Sequence, residues 1–209
     1  MNRYLKTNTL AVATTLALMA SAASAAERTD LNRADVAGIA RENAALAKAA
    51  VADTVHARHA RALGMDADSR LVLLARKDSL GVRNHRYVQT FRGLPIFGEH
   101  VVVNEDAAGN INTLFGQKVA GLASEIPNRA VRVNKTRALR IAKSAGLGTD
   151  IGFMRTANEK NDLMVFVGDD GRAHRAYVVS YFADTLAGGS PMRPTVVVDA
   201  DSGVVLKQW

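Results

Sequence analysis

From Arg86 to Gly98 the chain reads RYVQTFRGLPIFG, and Tyr87, Val88, Thr90 and Phe91 are the β-branched and aromatic types that fit the pleated surface of a strand. Arg92-Gly93-Leu94-Pro95 then predicts a reversal, because Gly93 is free to take positive φ and Pro95 has its φ preset near about −65°. A second strand is expected from Ile96 through Val101, Val102 and Val103, a loop at Asn104–Asn110, and a third strand at Ile111–Gly116. Together these make an antiparallel meander. Upstream, residues 30–63 read as helix, with Asp30 or Asn32 as cap and Gly64 as stop. Val36, Ile39, Leu46 and Ala50 share one face, which Asn43 interrupts. A short apolar run, Leu71–Leu74, joins helix to meander.

The plan then repeats. Residues 122–133 carry Pro127 and no clear period, and read as a linker. Thr136–Ala145 reads as a helix with Ala138, Ile141, Ala142 and Ala145 on its apolar side and Gly146 as stop. Strands are expected at Leu163–Val167, Ala176–Phe182, Thr195–Val198 and Val204–Leu206, joined by Gly168-Asp169-Asp170-Gly171, a Gly/Pro-rich loop and Asp199-Ala200-Asp201-Ser202-Gly203. The halves share a local signature, Val-Val-Val-Asn-Glu-Asp-Ala-Ala-Gly and Val-Val-Val-Asp-Ala-Asp-Ser-Gly. The expected class is α+β, as two tandem units, each a helix packed on an antiparallel sheet. The boundaries are 1–25 for a leader, 26–121 for the first unit, 122–133 for the linker and 134–209 for the second unit.

Composition narrows the function classes. Arg3 and Lys6, the apolar run Leu10–Ala20, and the small-x-small site at Ala23 and Ala25 have the layout of a signal peptide. The apolar run is shorter than the about 20 residues that span a bilayer. The expectation is therefore export, periplasmic in transit or secreted, without stable membrane insertion. There is no cysteine, so the fold must be held by burial and not by disulfides. A hydrophobic fraction of 48% allows that. Aromatics at 5% argue against a nucleic-acid stacking platform. The net charge of +7 fits either a partner with an acidic face or a solubilising charge spread over the surface.

The chain offers no catalytic motif. A zinc peptidase needs His-Glu-x-x-His so that two imidazoles face one metal and a carboxylate activates its water, and that spacing is absent. His56-Ala57-Arg58-His59 places two imidazoles on one helical face, but Arg58 and Arg61 crowd them with like charge, and the reading is an exposed helix end. His85, His100 and His174 read as isolated, satisfied surface histidines. Asp199–Gly203 is too short of oxygen ligands for a calcium loop and reads as a hairpin turn. No cysteine or Gly-x-Ser-x-Gly elbow offers a nucleophile.

At Arg86–Gly98 the order of aromatic strand, Gly-Leu-Pro turn, aromatic-Gly pair and Val-rich strand resembles the activation peptide of thermolysin-like zinc metallopeptidases. Arg175–Trp209, with Tyr-x-Val-Ser-Tyr and Asp-Ala-x-x-Gly-x-Val-Leu-x-Gln-Trp, looks like the propeptide end of the pseudolysin-type branch. The likeness covers roughly residues 30–209. It implies a fungalysin/thermolysin propeptide segment followed by a PepSY-type module, both cystatin-like. It also implies a non-catalytic intramolecular chaperone and inhibitor. The partner would be the cognate thermolysin-like peptidase domain, expected outside this chain, with zinc and calcium in that partner only. A free-standing exported PepSY-type inhibitor or envelope-associated module is the alternative. Gly93, Leu94, Pro95, Gly98, Asp199 and Gly203 are then fold-determining, and Lys207, Gln208 and Trp209 are the candidate peptidase interface, with packing of Trp209 on its own sheet as the simpler reading.

Overall fold

Alternation of side chains along β3 (Val82–Phe91) and β4 (Leu94–Glu105) sets the first half of the molecule: Tyr87, Phe91, Val101 and Val103 are buried on one face while Arg86, Val88 and Val102 face away. The computed structural model describes residues 26–50, 54–185 and 190–209, so the leader, with Ala23 and Ala25, lies outside the described residues. The architecture is α+β. β2 (Ser69–Ser79), β3, β4 and β5 (Ile111–Ala120) pair antiparallel in chain order, and β1 (Glu27–Asp30) adds to the far side of β5. β6 (Met154–Val167), β7 (Ala173–Thr185), β8 (Thr195–Asp199) and β9 (Val205–Gln208) form a second antiparallel run. One parallel contact, Ile96 with Val165, joins the runs through β4 and β6.

The helices differ from the sequence reading in one respect. Residues 30–63 are not a single helix: they hold the end of β1, a 3-10 turn at Leu31–Arg33, and two helices, α1 (Val36–Lys48) and α2 (Val55–Ala62). Asp30 caps only the 3-10 turn, whereas Asp35 Oδ1 accepts from Gly38 N at 2.9 Å to start α1 and Thr54 Oγ1 accepts from Ala57 N at 3.2 Å to start α2. Asn43 does not interrupt the packed face of α1. It is its buried residue, donating to the Gly109 carbonyl and accepting from Arg58 Nε at 3.0 Å. α3 (Lys135–Leu147) runs through Gly146 and stops at Gly148. Gly146 is needed for packing, since a Cβ there would stand 2.4 Å from the Tyr181 hydroxyl.

Four apolar clusters among the described residues hold these elements, one of them, Phe166, Ala176, Val178 and Val197, on the face of the second sheet away from α3, with Phe97 packed against it. Leu31, Leu63, Leu71, Tyr87, Val101, Val103 and Leu114 lie between the first sheet and α1 and α2. Ala138, Ala142, Val179, Tyr181, Val196 and Val198 lie between the second sheet and α3. The remaining cluster spans the join, with Phe91, Ile96, Val119, Leu122, Ile126, Val165 and Val167. Residues 122–133, read as a linker, connect the two sheets with Leu122, Ile126 and Val133 buried. Burial on this scale supplies the stabilisation that disulfides would give a cysteine-free chain.

Candidate functional site

The glycine-rich motif of the meander does two separate jobs. Arg92 and Gly93, at φ 47° and 81°, form the two-residue turn between β3 and β4, the positive-φ pattern that matches strand twist. Pro95 is not part of that turn, as the sequence suggested. It lies in β4 opposite Thr90, next to a register shift where its missing N–H costs no ladder bond. Leu94 packs on the joining cluster. Between the pairs Val88–His100 and Thr90–Pro95, the single residue Gln89 faces the four residues 96–99, so β4 bulges outward there, with Gly98 at φ 80°.

Buried Gln89 fills the gap this leaves: its amide accepts from Val119 N at 2.9 Å and donates to Val119 O at 2.6 Å, standing in for a strand. The bulge turns Ile96 to β6 and Glu99 to β1. Arg28 Nε meets Glu99 Oε1 at 2.7 Å, and Arg28 Nη2 donates to the Val167 carbonyl at 2.8 Å, so one guanidinium ties β1, β4 and β6.

Phe97, on the same bulge, reaches the end of the chain. Its ring centroid lies 6.0 Å from Trp209 and 6.2 Å from Phe166. Trp209 is fixed by paired backbone bonds with Thr195, yet its side chain remains 57% exposed. Lys207 Nζ is held by Asp169 at 2.9 Å, which keeps the Asp169 carboxyl below the usual carboxylate range. A recess of about 290 Å³ opens between Phe97, Phe166 and Trp209, rimmed by Arg28, Glu99 and Lys207. A second, of about 370 Å³, lies across Trp209 and is lined by Gln208, Met192 and Pro194. Thus Gly98 and the Lys207–Trp209 segment, far apart in sequence, meet at one aromatic ledge. It can seat apolar side chains.

The histidines are the main correction. His59 is fully buried, not part of an exposed helix end. Its Nδ1 lies 2.9 Å from the Tyr87 hydroxyl and its Nε2 2.9 Å from Glu105 Oε1, while His85 Nε2 lies 3.0 Å from Glu105 Oε2. With a proton on each Nε2, both rings donate to the carboxylate, and the Tyr87 hydroxyl completes the set at His59 Nδ1. Arg58 adds its charge 3.6 Å from Glu105. Burial pushes the Glu105 carboxyl up, but the bonds from His59 and His85 outweigh it and hold it below the ordinary range. Burial also lowers the His85 pKa and raises that of Tyr87.

His174 is partnered too, with Nδ1 3.0 Å from Asp199 Oδ2, and His100 Nδ1 is buried without a partner. Asp199 Oδ1 accepts from the backbone N–H groups of Asp201 and Ser202 at 2.9 and 2.6 Å, closing the β8–β9 turn at Gly203, φ 81°. Arg175 and Arg129 take up Asp201. These carboxylates are spent on the turn. Among the described residues no three His, Cys, Asp or Glu side chains converge as a metal ion requires.

The residues missed in sequence are Arg28, Glu99, Phe166 and Glu105. Each acts on a partner dozens of positions away, and only the Phe97-Gly98 pair gave a local signal.

Comparison with known proteins places this geometry. Residues 72–117, the meander from β2 to β5, match the Fungalysin/Thermolysin Propeptide Motif. The neutral protease of Vibrio proteolyticus is 35% identical over 126 residues, covering 59% of this chain and 20% of that protein. The hemagglutinin/proteinase of Vibrio cholerae serotype O1 is 31% identical over 125 residues, with the same shares of 59% and 20%. The chain spans about a fifth of the length of the curated relatives it matches. The Bacillus megaterium YpeB C-terminal domain overlays 80% of this chain and 63% of that chain at 14% identity and a TM-score of 0.31, too loosely to define a shared fold. The chain contains a thermolysin-like propeptide region, which includes the motif at residues 72–117.

Proposed function

We propose that the chain is the non-catalytic propeptide of an exported thermolysin-like zinc metallopeptidase, built as a propeptide segment followed by a PepSY-like unit, each a helical layer on an antiparallel sheet. The peptidase domain is a partner outside residues 1–209, and zinc and calcium belong to that partner. The observation that carries this reading is the coincidence of the matched motif with the bulge that brings Phe97 onto Trp209. A surface that binds the native peptidase but not its unfolded chain shifts the equilibrium toward the folded enzyme. The same surface inhibits when the extended segment at Lys207, Gln208 and Trp209 lies along the cleft, since such clefts take peptide as an added strand and a catalytic zinc keeps an open position to be covered.

The test uses the purified chain and the thermolysin-like peptidases of its own organism. The chain is expected to slow peptide hydrolysis by one of them and to raise the activity recovered when that enzyme refolds from denaturant. Trp209→Ala should weaken inhibition at least about tenfold, or about 1.4 kcal/mol. A chain that neither slows nor rescues any of them removes this reading.

A further inference from the structure

An antiparallel sheet with one solvated face normally alternates apolar inward with polar outward. The first sheet departs from that rule on the face away from α1 and α2. Val72 pairs with Val88 and Val102 with Phe115, while His100 stands opposite Val88 and Arg86 opposite Val102, so apolar residues cross the four strands of the meander diagonally, from Val72 and Val88 to Val102 and Phe115. Val72 and Phe115 are 47% and 46% exposed, and Val88 and Val102 between them are half-buried. Leu74, unpaired at the β2 bulge beside this row, is 53% exposed. Contiguous apolar surface of this kind on a folded chain marks an interaction site.

The charges around the row select its occupant. Arg70, Lys77 and Arg86 stand on the same face; the outward positions of β2 to β5 carry no carboxylate, and on β1 Asp30 stands at the edge of the face opposite Gln117. Arg86 and Lys77 have no ion-pair partner among the described residues. Stacking two copies of this face would set Arg70, Lys77 and Arg86 against their own copies with only Asp30, at the β1 edge, to offset them, which disfavours a second copy. A polyanion would engage the cations but leave the aliphatic row unmatched. We infer that the outer face of the meander, centred on Val88, Val102 and Phe115 and flanked by Arg70, Lys77 and Arg86, is a second docking surface, and that its partner is a folded protein presenting an apolar patch ringed by carboxylates. This deepens the propeptide reading and rests on it: the partner is the peptidase domain, gripped here in addition to the Trp209 ledge.

The test places the photocrosslinker p-benzoylphenylalanine at Phe115 in one sample of the full chain and at Trp209 in another, in the cells that make the protein, with adducts identified by mass spectrometry. Capture of a thermolysin-like peptidase at Phe115, cut at least tenfold by Val102→Asp, is the expected result. Arg86→Glu, an exposed change that spares the core, must give the same loss and keeps the test open if Val102→Asp does not fold. Capture at Phe115 of a second copy, nucleic acid, any other protein or nothing overturns the inference. The Trp209 sample separates the failures: a peptidase captured there but not at Phe115 leaves the propeptide reading intact, and a peptidase captured at neither ends both.

Discussion

Two glycines of the meander share a conformation and differ in surroundings, which makes their costs separable. Gly93 sits at φ 81° in the β3–β4 turn with nothing within 4 Å of where a Cβ would stand. Gly116 sits at φ 91° on β5, where a Cβ would fall 2.0 Å from the His100 carbonyl oxygen on the neighbouring strand. Gly93→Ala is expected to cost only the left-handed backbone term, about 1 kcal/mol. Gly116→Ala must also push two paired strands apart, for roughly 3 kcal/mol or more. Urea midpoints of the two variants check this, and equal losses would mean that β4 and β5 are not so close. At this scale Gly93 was legible in sequence, because a turn residue answers to its immediate neighbours. Gly116 was not, because its constraint comes from the carbonyl of another strand. The same holds for Glu105, whose burial is decided by His59, 46 positions earlier.

At the scale of elements, α2 is riveted to the sheet by polar groups buried between them. Arg58 and His59 from α2, His85 and Tyr87 from β3 and Glu105 from β4 face one another, with Asn43 of α1 on Arg58 and Arg76 of β2 adding charge nearby. The pH dependence follows from two lowered pKa values. The fold keeps His85 neutral below its ordinary value of 6.5, so the unfolded chain binds the extra proton and stability falls as pH drops through that value. Glu105, lowered from 4.5, contributes stability that is present above that value and lost as pH falls toward its folded pKa. Both signs agree. The urea midpoint is expected to decline between about pH 7.5 and 5.5, and His85→Asn should flatten that decline while lowering the plateau. An unchanged slope in the variant would remove His85 as its source. The strands of this region were legible from their β-branched and aromatic types, whereas the break between α1 and α2 was hidden by alanines that suit one long helix. Thr54, a cap residue just before Val55, was the local signal for it.

At the scale of the molecule, the question is whether the two sheets unfold together. The α+β class was readable from the periodicity, but the join was not, because it is a single parallel pairing made by Ile96, which the β4 bulge displaces, with Val165 of β6. Ile96 is 2% exposed at that contact, packs with Val165 and Leu122, and has beside it the Arg28 link from β1 to Glu99 and Val167. Trp209 is the chain's one tryptophan, and it sits on Phe97 of the same bulge, so its emission reports the join while far-ultraviolet circular dichroism reports both sheets. Coupling through a shared core makes the two urea transitions coincide in the parent chain. Ile96→Ala removes buried side-chain volume common to both sheets, for about 3 kcal/mol. It should therefore lower both transitions, and the Trp209 signal should move first or with the bulk signal, never after it. A variant whose Trp209 transition stays at the parent midpoint while the circular dichroism shifts would show that β9 and its ledge stand independently of the meander, and the two proposed grips on a partner would then have to act without a rigid frame between them.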